Sequence, residues 1–212
     1  MCNIVWSESI NIQVGVILNK VPFVLDYLHF KPSVDIAFDT ISERVKTQEY
    51  LNFSMSYIFK TTDSTCGAPT MKSPGIAADV YYTHNVSAFF GPLCSGETAP
   101  VADLCSHWNI PMLSGASTSG ILDDKARYRT LTRTSYKASN LVNFMAELFK
   151  QYNWRRCSVI WDDTQAYWRT VLKPSLLERL GADGVITGDF EINEFGRNIK
   201  DIMEAAVEKG RS

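Results

Sequence analysis

From Ile12 onward one pattern recurs: a short apolar run of strand character, a turn, and then about three turns with apolar residues at helical spacing. Ile12 to Leu18 alternates and then becomes continuously apolar, as a strand buried on both faces does. After Pro32-Ser33, the residues Val34, Ala37, Phe38, Ile41 and Val45 form one apolar stripe on a helix. Strands are then expected at 55–61, 86–90 and 112–114. Helices are expected at 75–83 and 98–108, the second with Thr98 as N-cap and Pro100 in its first turn. Strands that alternate with helices require right-handed crossovers and a mostly parallel sheet with helices on both faces. The expected fold class is therefore α/β.

Residues 128–134 read as an extended connection, after which the alternation restarts. Helices are expected at 138–152, 167–180 and 198–208, with strands at 158–162 and 185–190. Pro174 implies a kink or a late start in the second of these helices. The division expected is a first lobe over 1–134 and the start of a second over 135–212. The sequence ends on a helix C-terminal signal, Lys209-Gly210-Arg211-Ser212, whereas every earlier helix is followed by a strand. The second lobe is thus expected to be incomplete.

Charge narrows the function classes. With 21 basic and 23 acidic residues spread along 212, the chain carries no electrostatic footprint for nucleic acid or an anionic membrane. No run approaches the roughly 20 apolar residues of a membrane span, and Met1-Cys2-Asn3-Ile4 lacks the basic and apolar regions of a signal peptide. Any membrane attachment would lie in segments outside this sequence.

Catalytic and metal constellations are absent from the sequence. His29, His84 and His107 fall in no metal spacing, and neither a P-loop nor a dinucleotide fingerprint follows a strand. Gly115-Ala116-Ser117-Thr118-Ser119 departs from a nucleophile elbow at its last position and has no assignable His or Asp partner. Asp162-Asp163 reads as a helix cap or a solvated pair rather than a metal site. No catalytic residue, metal ligand or cofactor is assigned, and the chain is expected not to be an enzyme.

Open α/β sheets bind ligands at the carboxyl ends of their strands. Two turns occupy that position. Gly91-Pro92-Leu93-Cys94-Ser95-Gly96 follows one strand, and Ser114-Gly115-Ala116-Ser117-Thr118 follows the next. Backbone amides and the hydroxyls of Ser95, Ser117 and Thr118, together with Gly96, are the expected cleft contacts. The competing account makes both ordinary strand-to-helix turns with helix caps.

Cys66 and Cys94 follow neighbouring strands at the same end of the sheet, where a disulfide is geometrically feasible. Cys105 shares a helical stripe with Val101, Leu104 and Trp108, and Cys157 opens a buried strand, so both read as core thiols; Cys2 is unassigned. Asn52-Phe53-Ser54 and Asn85-Val86-Ser87 fit the N-glycosylation pattern at Asn52 and Asn85.

The motif order Phe89-Phe90-Gly91-Pro92-Leu93-Cys94, Ala99-Pro100-Val101-Ala102, His107-Trp108-Asn109-Ile110-Pro111-Met112-Leu113-Ser114-Gly115-Ala116 resembles the receptor-family ligand-binding fold. Its natriuretic peptide receptor and receptor guanylate cyclase branch is the nearest match. Tyr128 to Thr134 and Asn153-Trp154 continue the order, and the similarity runs from about Ile12 to Ser212. The resemblance implies a periplasmic-binding-protein-like type I fold on the extracellular face of the plasma membrane, recognising a peptide or small molecule, acting as a homodimer and signalling through domains elsewhere in the protein. A soluble solute-binding or decoy receptor without signalling domains is the alternative. The resemblance also implies the Cys66–Cys94 disulfide and an anion site, for chloride, on the backbone donors of the Leu93 and Cys94 turn. Leu93 stands where chloride-binding relatives have glycine, which argues against chloride here. Related amino-acid receptors use hydroxyls at positions like Ser95 and Thr118 for a ligand carboxylate, but their acidic partner for the amine has no counterpart near Ala138. Tyr81, Tyr82 and Trp108 offer an aromatic patch for dimerisation, with burial in the core as the simpler account.

Overall fold

The structure, a computed structural model, describes residues 10–20, 26–47, 53–63, 72–162, 172–192 and 199–211. The chain forms two compact units, Met1–Ser117 with Ile121–Ser135, and Thr118–Gly120 with Tyr136–Ser212. It is an α/β protein of the expected class.

In the first unit the strands are β1 (Ile10–Asn19), β2 (Phe53–Thr62), β3 (Ala88–Phe90), β4 (Met112–Ser114) and β5 (Leu131–Arg133). They form one parallel sheet in the order β2-β1-β3-β4-β5. The helices are α1 (Tyr27–Thr47), α2 (Ser73–His84) and α3 (Ser95–Trp108). Alternation along β1 separates the two cores. Val14, Val16 and Leu18 pack with Val34 of α1, while Ile17 packs with Ala77 and Val80 of α2 and with Val101, Ala102 and Cys105 of α3. Gly15 is glycine for a reason of space, because a Cβ there would lie 2.5 Å from the Phe89 ring. That contact lets a large buried aromatic cover the sheet where β1 meets β3.

Three local expectations change. Helix α3 starts at Ser95 with Cys94 as its N-cap, so Thr98 lies one turn inside, and its hydroxyl donates to the Pro92 carbonyl at 2.9 Å instead of capping. Helix α1 begins at Tyr27, earlier than expected, and so contains Pro32 in its second turn, where the proline has no N–H for the helix ladder. The 128–134 connection contains β5, which pairs in register with β4 and so adds a fifth strand. Of the helix expected at 167–180, the described part is α5 (Lys173–Ala182), with Pro174 in its first turn; residues 163–171 lie outside the described residues.

In the second unit β6 (Arg156–Asp162) and β7 (Ile186–Ile192) pair in parallel. On one side α4 (Ala138–Gln151) and α5 (Lys173–Ala182) contribute Val142, Ala146, Leu176 and Leu180 to a core with Val159 and Cys157. Helix α6 (Ile199–Arg211) packs on the same strands through Ile202 and Ala206, and Ser158 Oγ donates to the Ala206 carbonyl at 2.7 Å. No helix among the described residues is long and apolar enough to cross a membrane.

Candidate functional site

The strand order reverses at β1: β2 lies on one side of it, and β3 to β5 follow on the other. The crossovers diverge there, which opens a crevice beyond the carboxyl ends of β1 and β3. Asn19 ends β1 and the turn Gly91–Cys94 follows β3, so this is the place in the first unit where a ligand would be expected.

The turn is held from every direction. Gly91 has φ +82°, a left-handed conformation that glycine adopts without strain, and a Cβ there would lie 1.9 Å from the Ile17 carbonyl oxygen. Its N–H donates to the Leu113 carbonyl at 2.8 Å, which ties the turn to β4. The Leu93 N–H donates to Asn19 Oδ1 at 3.0 Å and the Cys94 N–H to the same oxygen at 3.4 Å. Asn19 in turn donates from Nδ2 to Glu97 Oε2 at 2.5 Å, and Thr62 Oγ1 donates to Glu97 Oε1 at 3.2 Å. Asn19, Thr62 and Glu97 are all buried. Among the described residues, the Glu97 carboxylate thus rests on neutral donors and on the positive end of α3, not on a cation.

The carbonyls of the turn are held by three buried hydroxyls. Thr98 Oγ1 donates to Pro92 O, Ser117 Oγ donates to Leu93 O at 3.1 Å, and Ser114 Oγ donates to Ser117 Oγ at 2.7 Å. Ser114 Oγ also lies 3.0 Å from Pro92 O, and Thr98 Oγ1 contacts Ser117 Oγ. Three protons therefore serve two carbonyls and one another, which satisfies the cluster internally.

The sequence-derived site residues separate on this geometry. Ser95 and Gly96, in the first turn of α3, are half-buried and exposed. Ser117 is fully buried and is a brace between the two turns. Thr118 is buried and belongs to the second unit, where its carbonyl accepts from the Ala138 N–H at 2.9 Å as α4 begins. Leu93 and Cys94 direct their amides inward to Asn19, so the donors expected for an anion already have an acceptor from the chain itself. Cys94 is disulfide-bonded, whereas Cys105 and Cys157 are free thiols; Cys66, its expected partner, lies outside the described residues. Burial pushes the Cys105 thiol up to about 12. No group of three or more His, Cys, Asp or Glu among the described residues is placed to hold a metal. Asp163 and Asn52 also lie outside those residues.

Asn19 and Glu97 are the members of this site that motif reading overlooks. A signal existed: Glu97 precedes Val101 and Cys105 at four-residue spacing, which puts it on the inward stripe of α3.

The chain matches the family described as receptor family ligand binding region over residues 30–208. It is 34% identical over 95 residues to a receptor-type guanylate cyclase of Caenorhabditis elegans, gcy-23, covering 44% of the chain and 9% of that protein. It is 26% identical over 142 residues to atrial natriuretic peptide receptor 3 of Bos taurus, covering 66% of the chain and 26% of the relative. Against the eel (Anguilla japonica) atrial natriuretic peptide receptor 2 the identity is 26% over 147 residues, covering 68% of the chain and 14% of the relative. The aligned part spans about a quarter or less of these relatives. The parallel sheet in its switched order and a match over most of the chain lead to one conclusion: the protein belongs to the family of receptor ligand-binding regions.

Proposed function

We propose that this chain is the ligand-recognising part of a cell-surface receptor, that it carries out recognition and no chemistry of its own, and that it works as a homodimer. The observation that carries the reading is the turn at the switch point. Its Gly91 and Leu93 amides, its Pro92 and Leu93 carbonyls and the Cys94 sulfur are tied down, so it forms a rigid base from which the first turn of α3 presents Ser95 and Gly96. A preorganised base of this kind lowers the ordering cost of binding. Two relatives are named as natriuretic peptide receptors, so a peptide ligand of that type is the first to test. The signalling step would be a shift between two arrangements of the receptor, one of which the ligand favours.

Cys66 is proposed as the disulfide partner of Cys94. No chloride is required in this reading, because Asn19 Oδ1 supplies the acceptor that the Leu93 and Cys94 amides need. Equal melting temperatures in chloride and gluconate at one ionic strength would agree with this, and a chloride-dependent rise would refute it.

The test of function is titration of the chain with natriuretic-type peptides, followed by calorimetry and by hydrogen exchange of the α3 N-terminal peptide. Saturable binding that slows exchange there, and that weakens in Ser95→Ala, supports the site. Binding that leaves this segment unchanged would move the site elsewhere.

A further inference from the structure

We infer that Asn85 carries an N-linked glycan whose first sugar packs on Tyr82, so that the exposed aromatic face at the end of α2 is covered by the chain's own carbohydrate. The inference rests on the extracellular reading above, because the transferase acts only on exported chains.

The placement starts at the end of α2. Asn85 is the C-cap of that helix at φ 50° and ψ 49°, and its N–H donates to the Tyr81 carbonyl. Asparagine suits this left-handed position on conformational grounds alone. Asn109 and Asn153 show that effect by itself, since both have positive φ and neither is followed by Ser or Thr two residues on. Asn85 differs because Ser87 completes a sequon. Val86 between them is buried and anchors the segment, while Asn85 and Ser87 are both exposed. The Ser87 N–H is spent on the Gln13 carbonyl at 2.7 Å, so the backbone is fixed with the sequon side chains left outside.

The neighbouring surface supplies the second half. Tyr82 is 76% exposed, which makes it the most exposed large apolar side chain among the described residues. Tyr81 stacks on Trp108 with centroids 4.1 Å apart at 6°, and Tyr82 stands edge-on to both rings. The cluster is therefore a rigid aromatic shelf whose outermost ring is solvated. Tyr82 lies in the last turn of α2, three residues before the Asn85 cap, so the exposed ring and the sequon occupy the same end of the helix. An exposed aromatic ring one turn before a sequon is matched by the apolar C–H face of a sugar.

In the modification, Asn85 Nδ2 forms a bond to the anomeric carbon of the first N-acetylglucosamine of a polyprenyl-diphosphate-linked oligosaccharide. The bond from that carbon to the diphosphate oxygen breaks, the polyprenyl diphosphate leaves with the electron pair, and one amide proton is released.

The test is to express the 212-residue chain behind a cleavable secretory leader in animal cells and to map glycans on the exported protein. The leader supplies export, so the outcome is independent of whether the natural protein is a receptor. Occupancy at Asn85 is expected, with enzymatic release leaving aspartate there. Ser87→Ala should abolish it while retaining the Asn85 cap. An exported protein with Asn85 unmodified overturns the inference. For the packing, release of the glycan is expected to lower the melting temperature by about 2 °C in the parent and not in Tyr82→Ala. An equal effect in both overturns the stacking. A glycosylated chain that dimerises through this face, with Tyr82→Asp dissociating it, would overturn the inference in favour of a second copy as the occupant.

Discussion

Asn19→Ala tests whether the switch-point turn is held together as described. The substitution removes the acceptor of the Leu93 N–H at 3.0 Å and the donor to Glu97 Oε2 at 2.5 Å, and also the longer contact to the Cys94 N–H. An orphaned buried amide costs about 1–3 kcal/mol, and a lost hydrogen bond to a charged group about 1.5–3 kcal/mol. With the long contact discounted, the sum is roughly 2.5–6 kcal/mol, or about 5–24 °C in melting temperature for a chain of this size. The two units need not unfold together, so the assay is hydrogen exchange in urea, read on peptides from β1 and β3. Asn11→Ala serves as the control, because Asn11 is exposed and accepts only a surface hydrogen bond from Ser54; it should stay within about 0.5 kcal/mol. A swap sharpens the test. Asn19→Asp alone sets two buried carboxylates against each other, while Asn19→Asp with Glu97→Gln restores a donor facing an acceptor at every contact, and Thr62 still has an oxygen to bond. The double variant should be clearly more stable than Asn19→Asp. A loss below about 1 kcal/mol in Asn19→Ala, or no rescue in the swap, would refute the network as the support of the turn.

Other predictions address neighbouring features. Gly91→Ala forces a Cβ to within 1.9 Å of the Ile17 carbonyl at φ +82°, so it should destabilise by more than about 4 kcal/mol, measured by urea denaturation; near-parental stability would contradict the turn conformation. Hydrogen bonds from Lys31 and Tyr57 hold the Asp35 carboxyl below its ordinary value. Its contribution is therefore present above the unfolded carboxylate range of about 4 and is lost as pH falls through the lower folded value. Asp35→Asn should flatten that acid limb in melting temperature against pH, and an unchanged limb would remove Asp35 from it. Free amino acids are expected to give no saturable heat in calorimetry, because a ligand carboxylate at Ser95 and Gly96 would enter the field of Glu97 in the same helical turn; millimolar binding of glutamate or glycine would contradict this.

Local pattern revealed most of the fold, and it failed where the deciding contact is distant in sequence. In β1, Val14, Val16, Ile17 and Leu18 are apolar and buried, so the strand was legible without knowing its neighbours. In β5 only Leu131 of Leu131-Thr132-Arg133 is buried, and three residues cannot display a period; its strand character comes from pairing with β4. Thr98 looked like a cap because it precedes Ala99-Pro100-Val101. The helix extends back to Ser95 because the buried turn before it fixes Cys94 in an extended conformation, leaving the Thr98 hydroxyl free to bind Pro92.

The same limit governs the site. Both turns at the strand ends were legible, because small and hydroxylated residues after apolar runs mark strand-to-helix turns. Which atoms of those turns remain available was not, since that depends on Asn19 and Glu97, 78 positions apart and brought together only by the sheet order. Once they meet, the Leu93 amide is bound to Asn19 and the Ser117 hydroxyl to Leu93, which is why the proposed recognition surface is the first turn of α3. There Glu97 already occupies the favourable field of the helix N-terminus. A second negative charge gains little from that field, whereas a neutral or cationic group of a peptide encounters no such opposition. On the proposed reading, the buried carboxylate would bear on the charge of the ligand as well as on the stability of the turn.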